Sequence, residues 1–258
     1  MPQVISVVSG KGGVGKTTTV ANVGAALAAM GKRVLLIDAD VGLRNLDISL
    51  GMQDKVVYHF NDIINGQCTP TQAIVPHDKY LGLQLLTAPQ NVLSSQIDKD
   101  KFKELVLGLK QNYDYVLIDC AAGIDDSFVM GAMAADMVII VATPELISVR
   151  DADRVAVSLE KLAIEQINLI INIISVDMVK KGDMIDIDTI INTVAVPLIG
   201  AVPESSEVIV SNNKGRPIVL SANSYAGKAF LNIAKRITGE KVPILKEKKR
   251  NIFRLLKK

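Results

Sequence analysis

Gly10-Lys11-Gly12-Gly13-Val14-Gly15-Lys16-Thr17 is the stretch that decides the fold. It follows an apolar run, Val4 to Val8, and opens a helical pattern, Thr17 to Met30 before Gly31. The spacing G-x-x-x-x-G-K-[ST] between a strand and a helix is that of a phosphate-binding loop. Glycines let the backbone wrap an anion with successive N–H groups pointing inward, and the helix N-terminus adds its partial positive charge. Lys16 is then placed to bridge the outer phosphates of a nucleotide, and the Thr17 hydroxyl to hold Mg²⁺.

Outward from this loop, further short runs are apolar without alternation: Val34 to Ile37, Tyr115 to Ile118, Val138 to Ala142, Leu169 to Ile174 and Leu198 to Val202, with Leu83 to Leu86 a weaker seventh. Alternating strands face water on one side, whereas continuous Val/Ile runs suit a parallel sheet covered on both faces. Helical stretches lie between them, at Asp98 to Asn112, Ser148 to Ala163 and Ser224 to Thr238 before Gly239. Repeated strand and helix predict an α/β fold, a doubly wound, mostly parallel sheet flanked by helices.

Composition agrees. The 258 residues are 49% hydrophobic and 4% aromatic, which excludes a disordered chain. Cys68 and Cys120 are too few and too far apart for a disulfide framework or a zinc cage, so a reducing cytosolic setting is expected. The longest apolar stretches, such as Val194 to Val202, fall well short of the roughly 18 residues of a membrane span, and Met1-Pro2-Gln3 has no basic signal-peptide region. His59 and His77 stand apart from any acidic cluster and read as surface or loop residues.

Carboxylates end two of the apolar runs. Asp38 and Asp40 follow Val34 to Ile37, and Asp119 follows Tyr115 to Ile118. In an open parallel sheet the C-terminal strand ends line the ligand crevice. Carboxylates there can serve Mg²⁺ and orient an attacking water.

Lys11 is more discriminating than the loop itself. A second lysine in Lys-Gly-Gly-x-Gly-Lys-Thr-Thr marks the deviant Walker A ATPases. With Asp38-Ala39-Asp40-Val41-Gly42-Leu43-Arg44-Asn45-Leu46-Asp47, Asp177-Met178-Val179-Lys180-Lys181-Gly182-Asp183-Met184 and a basic amphipathic tail, the chain resembles the MinD family nearly end to end. The resemblance implies a P-loop NTPase that binds ATP and Mg²⁺ and hydrolyses ATP slowly, stimulated by dimerisation and partners. It implies a nucleotide cradle of Gly10, Lys11, Gly12, Gly13, Val14, Gly15, Lys16, Thr17 and Thr18. Lys11 is expected to reach the phosphates of the other protomer, as an arginine finger does. Asp40 becomes the hydrolysis residue; Thr17, Asp38 and Asp119 serve the metal. Gly123 approaches the γ-phosphate, Asn172 reads the base, and Pro203-Glu204-Ser205 covers the ring.

Two stretches depart from the family pattern. Asp119-Cys120-Ala121-Ala122-Gly123 stands where relatives have Asp-x-Pro-Ala-Gly, and the missing proline predicts a softer second switch. Ile173, Ile174 and Ser175 follow Asn172 where arginines are usual. Cys120 reads as a packed neighbour and not a nucleophile, with no His near it in sequence. The stretch from Thr143-Pro144-Glu145 into Ser148 to Asp153 resembles the family's partner-facing helix, and equally suits a solvated helix start with Ser148 as its N-cap.

The charge is uneven. Lys246 to Lys258 carry seven Lys/Arg and one Glu, a net +6, so the other 245 residues carry −4 of the chain's +2. On a helical projection Ile252, Phe253, Leu255 and Leu256 span an arc of about 160°, with Arg250, Arg254, Lys257 and Lys258 opposite. Such a segment suits an anionic membrane surface. Four apolar side chains give at most roughly 6–12 kcal/mol. Ordering eight residues costs about 1–2 kcal/mol each, and each basic residue returns about 1 kcal/mol. One tail therefore binds poorly, and two on a dimer gain avidity on the order of 10²–10⁴.

The expected organisation is an ATPase domain over 1–239, a basic linker over 240–250 and a membrane-targeting tail over 251–258. The expected behaviour is ATP-dependent homodimerisation and cycling between the cytoplasm and the inner face of the membrane. Family likeness implies a MinC-type inhibitor of FtsZ assembly as partner, and leaves open a MinE-type or other topological regulator. The competing reading is a ParA-like DNA-segregation ATPase; the hydrophobic face of the tail and the lack of a base-reading module weigh against DNA. A metallocluster carrier would need paired cysteines that Cys68 and Cys120 do not supply.

Overall fold

The apolar runs do become strands, because each is buried on both faces. The computed structural model describes residues 1–221 and 223–245. In chain order the elements are β1 (Gln3–Ser9), α1 (Lys16–Ala29), β2 (Val34–Ala39), α2 (Leu46–Leu50), α3 (Phe60–Ile64), α4 (Pro70–Ala73), β3 (Val75–Pro76), β4 (Leu83–Leu86), α5 (Lys99–Lys110), β5 (Tyr115–Ala122), α6 (Asp126–Ala134), β6 (Met137–Ala142), α7 (Leu146–Lys161), β7 (Ile167–Ile174), α8 (Val176–Lys181), α9 (Ile187–Val194), β8 (Leu198–Pro203), α10 (Ser206–Asn213) and α11 (Tyr225–Ile237). The tail residues Ile252, Phe253, Leu255 and Leu256 lie outside the described residues.

The sheet order is β3-β4-β2-β5-β1-β6-β7-β8. All pairings are parallel except β3 with β4, an antiparallel edge of two residues that the sequence reading did not contain. Successive side chains of each strand enter opposite cores. Val4, Leu35, Ile37, Val116, Ile118, Val138 and Ile140 meet Phe102, Phe128, Val155 and Ile190 of α5, α6, α7 and α9. Ile5, Val7, Leu36, Leu117, Ile139 and Val141 meet Val20, Val23, Leu27, Phe230 and Ile233 of α1 and α11. That double burial is why the runs lack alternation.

The chain leaves β1 for β2 on one side, and after β5 it crosses to β6 on the other. The winding therefore reverses at β1, and a crevice opens at the carboxyl ends of the strands around it. Among the described residues no helix is long and apolar enough to cross a membrane.

Helix starts shifted where a side chain found a different partner. α7 begins at Leu146, with Glu145 as its N-cap. Ser148 is not the cap: its buried hydroxyl accepts from Thr143 N at 2.9 Å. His59 caps α3 and lies 3.1 Å from Asp62, so it is not remote from a carboxylate. His77 sits in a loop, where Nδ1 accepts from Lys79 N and Tyr80 N.

Candidate active site

The loop from Gly10 to Lys16 fills the crevice beyond β1. Gly13 and Gly15 take left-handed backbone, at φ 79° and 93°, which an L side chain would strain. Gly15 also has no room. A Cβ there would lie 2.3 Å from Asn172 Nδ2. α1 starts directly after it, so the free N–H groups of its first turn face the loop.

Lys16 is buried, and its Nζ donates to Ser9 Oγ at 2.9 Å. Ser9 Oγ donates in turn to Lys11 O at 2.7 Å. This chain of bonds holds the ammonium over the loop, and Ser9 is a member of the site that the motif does not name. The Thr18 hydroxyl accepts from Asn212 Nδ2 of α10 at 2.8 Å. Lys11 Nζ is held 2.8 Å from Glu145 Oε2 of the same chain, both side chains being well exposed.

Asp38 and Asp119 are register partners on β2 and β5, and both are buried. Asp38 accepts from Asp40 N at 2.9 Å and from Leu46 N at 3.0 Å. Neither oxygen of Asp119 meets a donor in good hydrogen-bond geometry. The Thr17 hydroxyl and the Lys16 ammonium nevertheless lie close enough to favour its charged form. Burial dominates, and pushes Asp119 well above the usual carboxylate range, with the charge of Asp38 adding to it. Burial likewise raises Asp38, to about 7, against the pull of its two backbone bonds. Asp40, half-buried, is raised by burial and held down by Lys16.

An unsatisfied buried carboxylate beside a threonine hydroxyl and a phosphate cradle fits a divalent cation. Among the described residues no three His, Cys, Asp or Glu side chains form a cage. That suits Mg²⁺, which keeps waters and takes few protein ligands alongside phosphate oxygens.

The missing proline leaves Ala121 an N–H to use. Its N–H donates to Ser127 Oγ at 3.1 Å, a bond proline could not make, and Ser127 Oγ donates to Ala39 O at 2.8 Å. Gly123 N donates to Ser9 O at 2.9 Å, closing the switch onto β1. Cys120 is buried against Ser6 Oγ at 3.1 Å, and burial pushes its thiol up to about 12. It is a packing residue.

At the end of β7, Asn172 donates to Val14 O at 2.8 Å, bracing the phosphate loop. Glu204 N donates to Ile174 O, and Ser205 caps α10. A cleft of about 780 Å³ opens beside them, walled by Pro144, Leu146, Ile173 and Met184 and edged by Glu204. The structure thus brings Lys16, Thr17, Asp38, Asp40, Asp119, Gly123 and Asn172 to one crevice. Lys11 is drawn to its outer edge by Glu145.

Residues 2–176 match the family model for an AAA domain, and residues 100–257 match that for 4Fe-4S iron sulfur cluster binding proteins of the NifH/frxC family. Both described cysteines are free; Cys68 lies outside the stretch of the second match, and Cys120, inside it, is buried. The septum site-determining protein MinD of Synechocystis sp. is 47% identical over 246 residues, covering 95% of this chain and 92% of its own. The MinC:MinD cell division protein complex of Aquifex aeolicus superposes with a TM-score of 0.89 at 42% identity, covering 95% of this chain and 98% of that one. MinD of Pyrococcus horikoshii, complexed with Mg-ADP, gives 0.83 at 30% identity, with 92% and 96% covered.

Proposed function

The chain belongs to the MinD family of septum site-determining proteins, and we propose how its residues carry out that family's ATP-driven work. It is a P-loop ATPase that takes ATP with Mg²⁺ and serves septum placement. The observation that carries the residue assignment is the buried, unsatisfied Asp119 beside Thr17 at the mouth of the loop. Thr17 and Asp119 would hold the metal, which would supply charge neutralisation to the phosphates of the bound nucleotide.

The remaining steps belong to protein groups. Loop N–H groups and Lys16 take the phosphate charge, and Asp40 orients the water that displaces ADP from the γ-phosphorus. Gly123 N–H lies at the switch that would follow the γ-phosphate. Lys11 leaves Glu145 and enters the partner's site when two copies close over the nucleotides. An exposed ion pair holds by only about 0–1 kcal/mol, so this exchange is inexpensive. Leu146, Ile147 and Ile124, all more than half exposed, ring that face and support its burial in a homodimer.

Residues 1–239 form the ATPase unit, 240–250 a linker, and 251–258 the membrane-targeting segment. ATP-driven pairing couples two such segments to anionic lipid; hydrolysis returns the protein to the cytoplasm. The membrane-bound pair recruits a MinC-type inhibitor, and a MinE-type or other regulator would act on the same pair.

Co-sedimentation with anionic vesicles under ATP, ADP and no nucleotide tests this reading. The expected result is ATP-dependent sedimentation that is lost on deleting residues 251–258. Equal sedimentation in ADP defeats the coupling, and ATP-dependent retention on non-specific DNA without vesicle binding replaces it with a segregation ATPase.

A further inference from the structure

Asp38 reaches both ends of the loop that carries Asp40. One oxygen accepts from Asp40 N at 2.9 Å and the other from Leu46 N at 3.0 Å, with the side chain fully buried. Leu46 is the first residue of α2, and the N-cap residue Asn45 makes no side-chain capping bond. Asp38 therefore accepts from one of the first-turn N–H groups that have no partner within the helix.

The rest of the loop is wound around these two bonds. Leu43 N and Arg44 N donate to Asp40 O at 3.3 and 3.1 Å, and Gly42 N to Pro89 O at 3.0 Å. Arg44 sits in left-handed backbone at φ 46°, with Nε 2.8 Å from Asp47 Oδ2. If Asp38 turned to grip a cation directly, it would abandon a buried N–H with no other partner. Asp119, its register neighbour, makes no hydrogen bond of good geometry through either oxygen.

We propose that Asp38 is a positioning residue: its carboxylate staples the two ends of the 40–46 loop and so fixes Asp40, while the carboxylate that serves Mg²⁺ is Asp119. This rests on the ATPase reading above and divides the labour between two aspartates that sequence alone assigns to one task.

Asp38→Asn and Asp119→Asn in the full chain separate the roles. Three readouts apply: amide hydrogen exchange over residues 40–46 without nucleotide, the Mg²⁺ dependence of fluorescent-ATP binding, and turnover. Asp38→Asn leaves one acceptor for two donors. Loop exchange should speed up roughly tenfold or more, as for loss of a bond to a charged group. Turnover should fall on the order of 10²-fold through a displaced Asp40, and the Mg²⁺ midpoint should stay within about threefold, a residual effect of one lost charge.

Asp119→Asn should do the reverse, with loop exchange unchanged and the Mg²⁺ midpoint raised roughly 10–100-fold. Asp38→Glu keeps the charge but displaces the carboxylate, and should reproduce the fast exchange. An Asp38→Asn protein whose loop stays protected, or whose Mg²⁺ midpoint moves as far as that of Asp119→Asn, overturns the proposal. Wild-type protein with no Mg²⁺-dependent ATP binding overturns the ATPase reading instead, and the exchange experiment still decides the staple.

Discussion

Replacing Asp119 by Asn should stabilise the nucleotide-free protein, and by an amount that grows with pH. Asp119 is buried without a good hydrogen bond, and its pKa is raised above that of the unfolded chain, chiefly by burial. Above the ordinary carboxylate range, near pH 4, the unfolded chain has released this proton while the native protein still holds it. Native protein then binds more protons than unfolded, so stability falls as pH rises until the folded pKa is passed. One such group contributes a slope of about 1.4 kcal/mol per pH unit. Asn has no proton to lose, so the variant lacks this slope; Asp38, also raised, keeps its own. For a domain of this size 1 kcal/mol corresponds to roughly 2–4 °C. As pH rises above the ordinary carboxylate range in EDTA, the melting temperature of Asp119→Asn minus that of wild type should widen, by at most about 3–5 °C per pH unit. Adding Mg²⁺ and ATP at neutral pH should reverse the order, because only the wild type offers the carboxylate. A gap that is constant or narrows with pH means that Asp119 ionises normally in the empty site, and the electrostatic account of the crevice fails.

Gly15→Ala combines left-handed backbone with a Cβ 2.3 Å from Asn172 Nδ2; strain and overpacking together predict a loss of roughly 2–5 kcal/mol in chemical denaturation, and an unchanged midpoint would contradict it. Lys16→Ala removes the buried ammonium over the loop and should abolish binding in a fluorescent-ATP titration; retained affinity refutes the phosphate assignment. Ala121→Pro restores the family's usual residue but deletes the N–H that donates to Ser127 Oγ. A lost bond of about 0.5–1.5 kcal/mol offsets an entropic gain of about 0.4–1 kcal/mol, so stability should change little. A gain above about 1 kcal/mol would show that the Ser127 bond contributes nothing.

The sheet was legible because double burial leaves a compositional trace: runs such as Val138 to Ala142 have no polar face to hide. Register and order were not, since nothing in Leu83 to Leu86 or Tyr115 to Ile118 says that β2 separates them. The two-residue strand Val75–Pro76 is too short to carry a pattern. The phosphate loop and the strand-end aspartates were legible because spacing and position encode them. Partners set by tertiary contact were not. Ser9 under Lys16, Glu145 on Lys11 and Ser127 between two switch strands are ordinary residues until the fold brings them across gaps of 7, 134 and 88 positions. Ala121 shows the same limit from the other side. Read alone, it is a missing proline; in place, its N–H is in use.

Ile173, which departs from the family pattern after Asn172, extends that reasoning. It is β-branched, yet its backbone is left-handed at φ 59°, a conformation that costs about 1–3 kcal/mol and persists only when its surroundings demand it. The demand is visible. The pairing of β7 with β8 slips between Ile171 and Ile174, and Asn172 at this irregularity turns its amide to Val14 O. On the other side, Gly15 is the position whose Cβ would block that amide. A strained isoleucine and a bare glycine thus serve one hydrogen bond, which ties the end of β7 to the phosphate loop across the crevice.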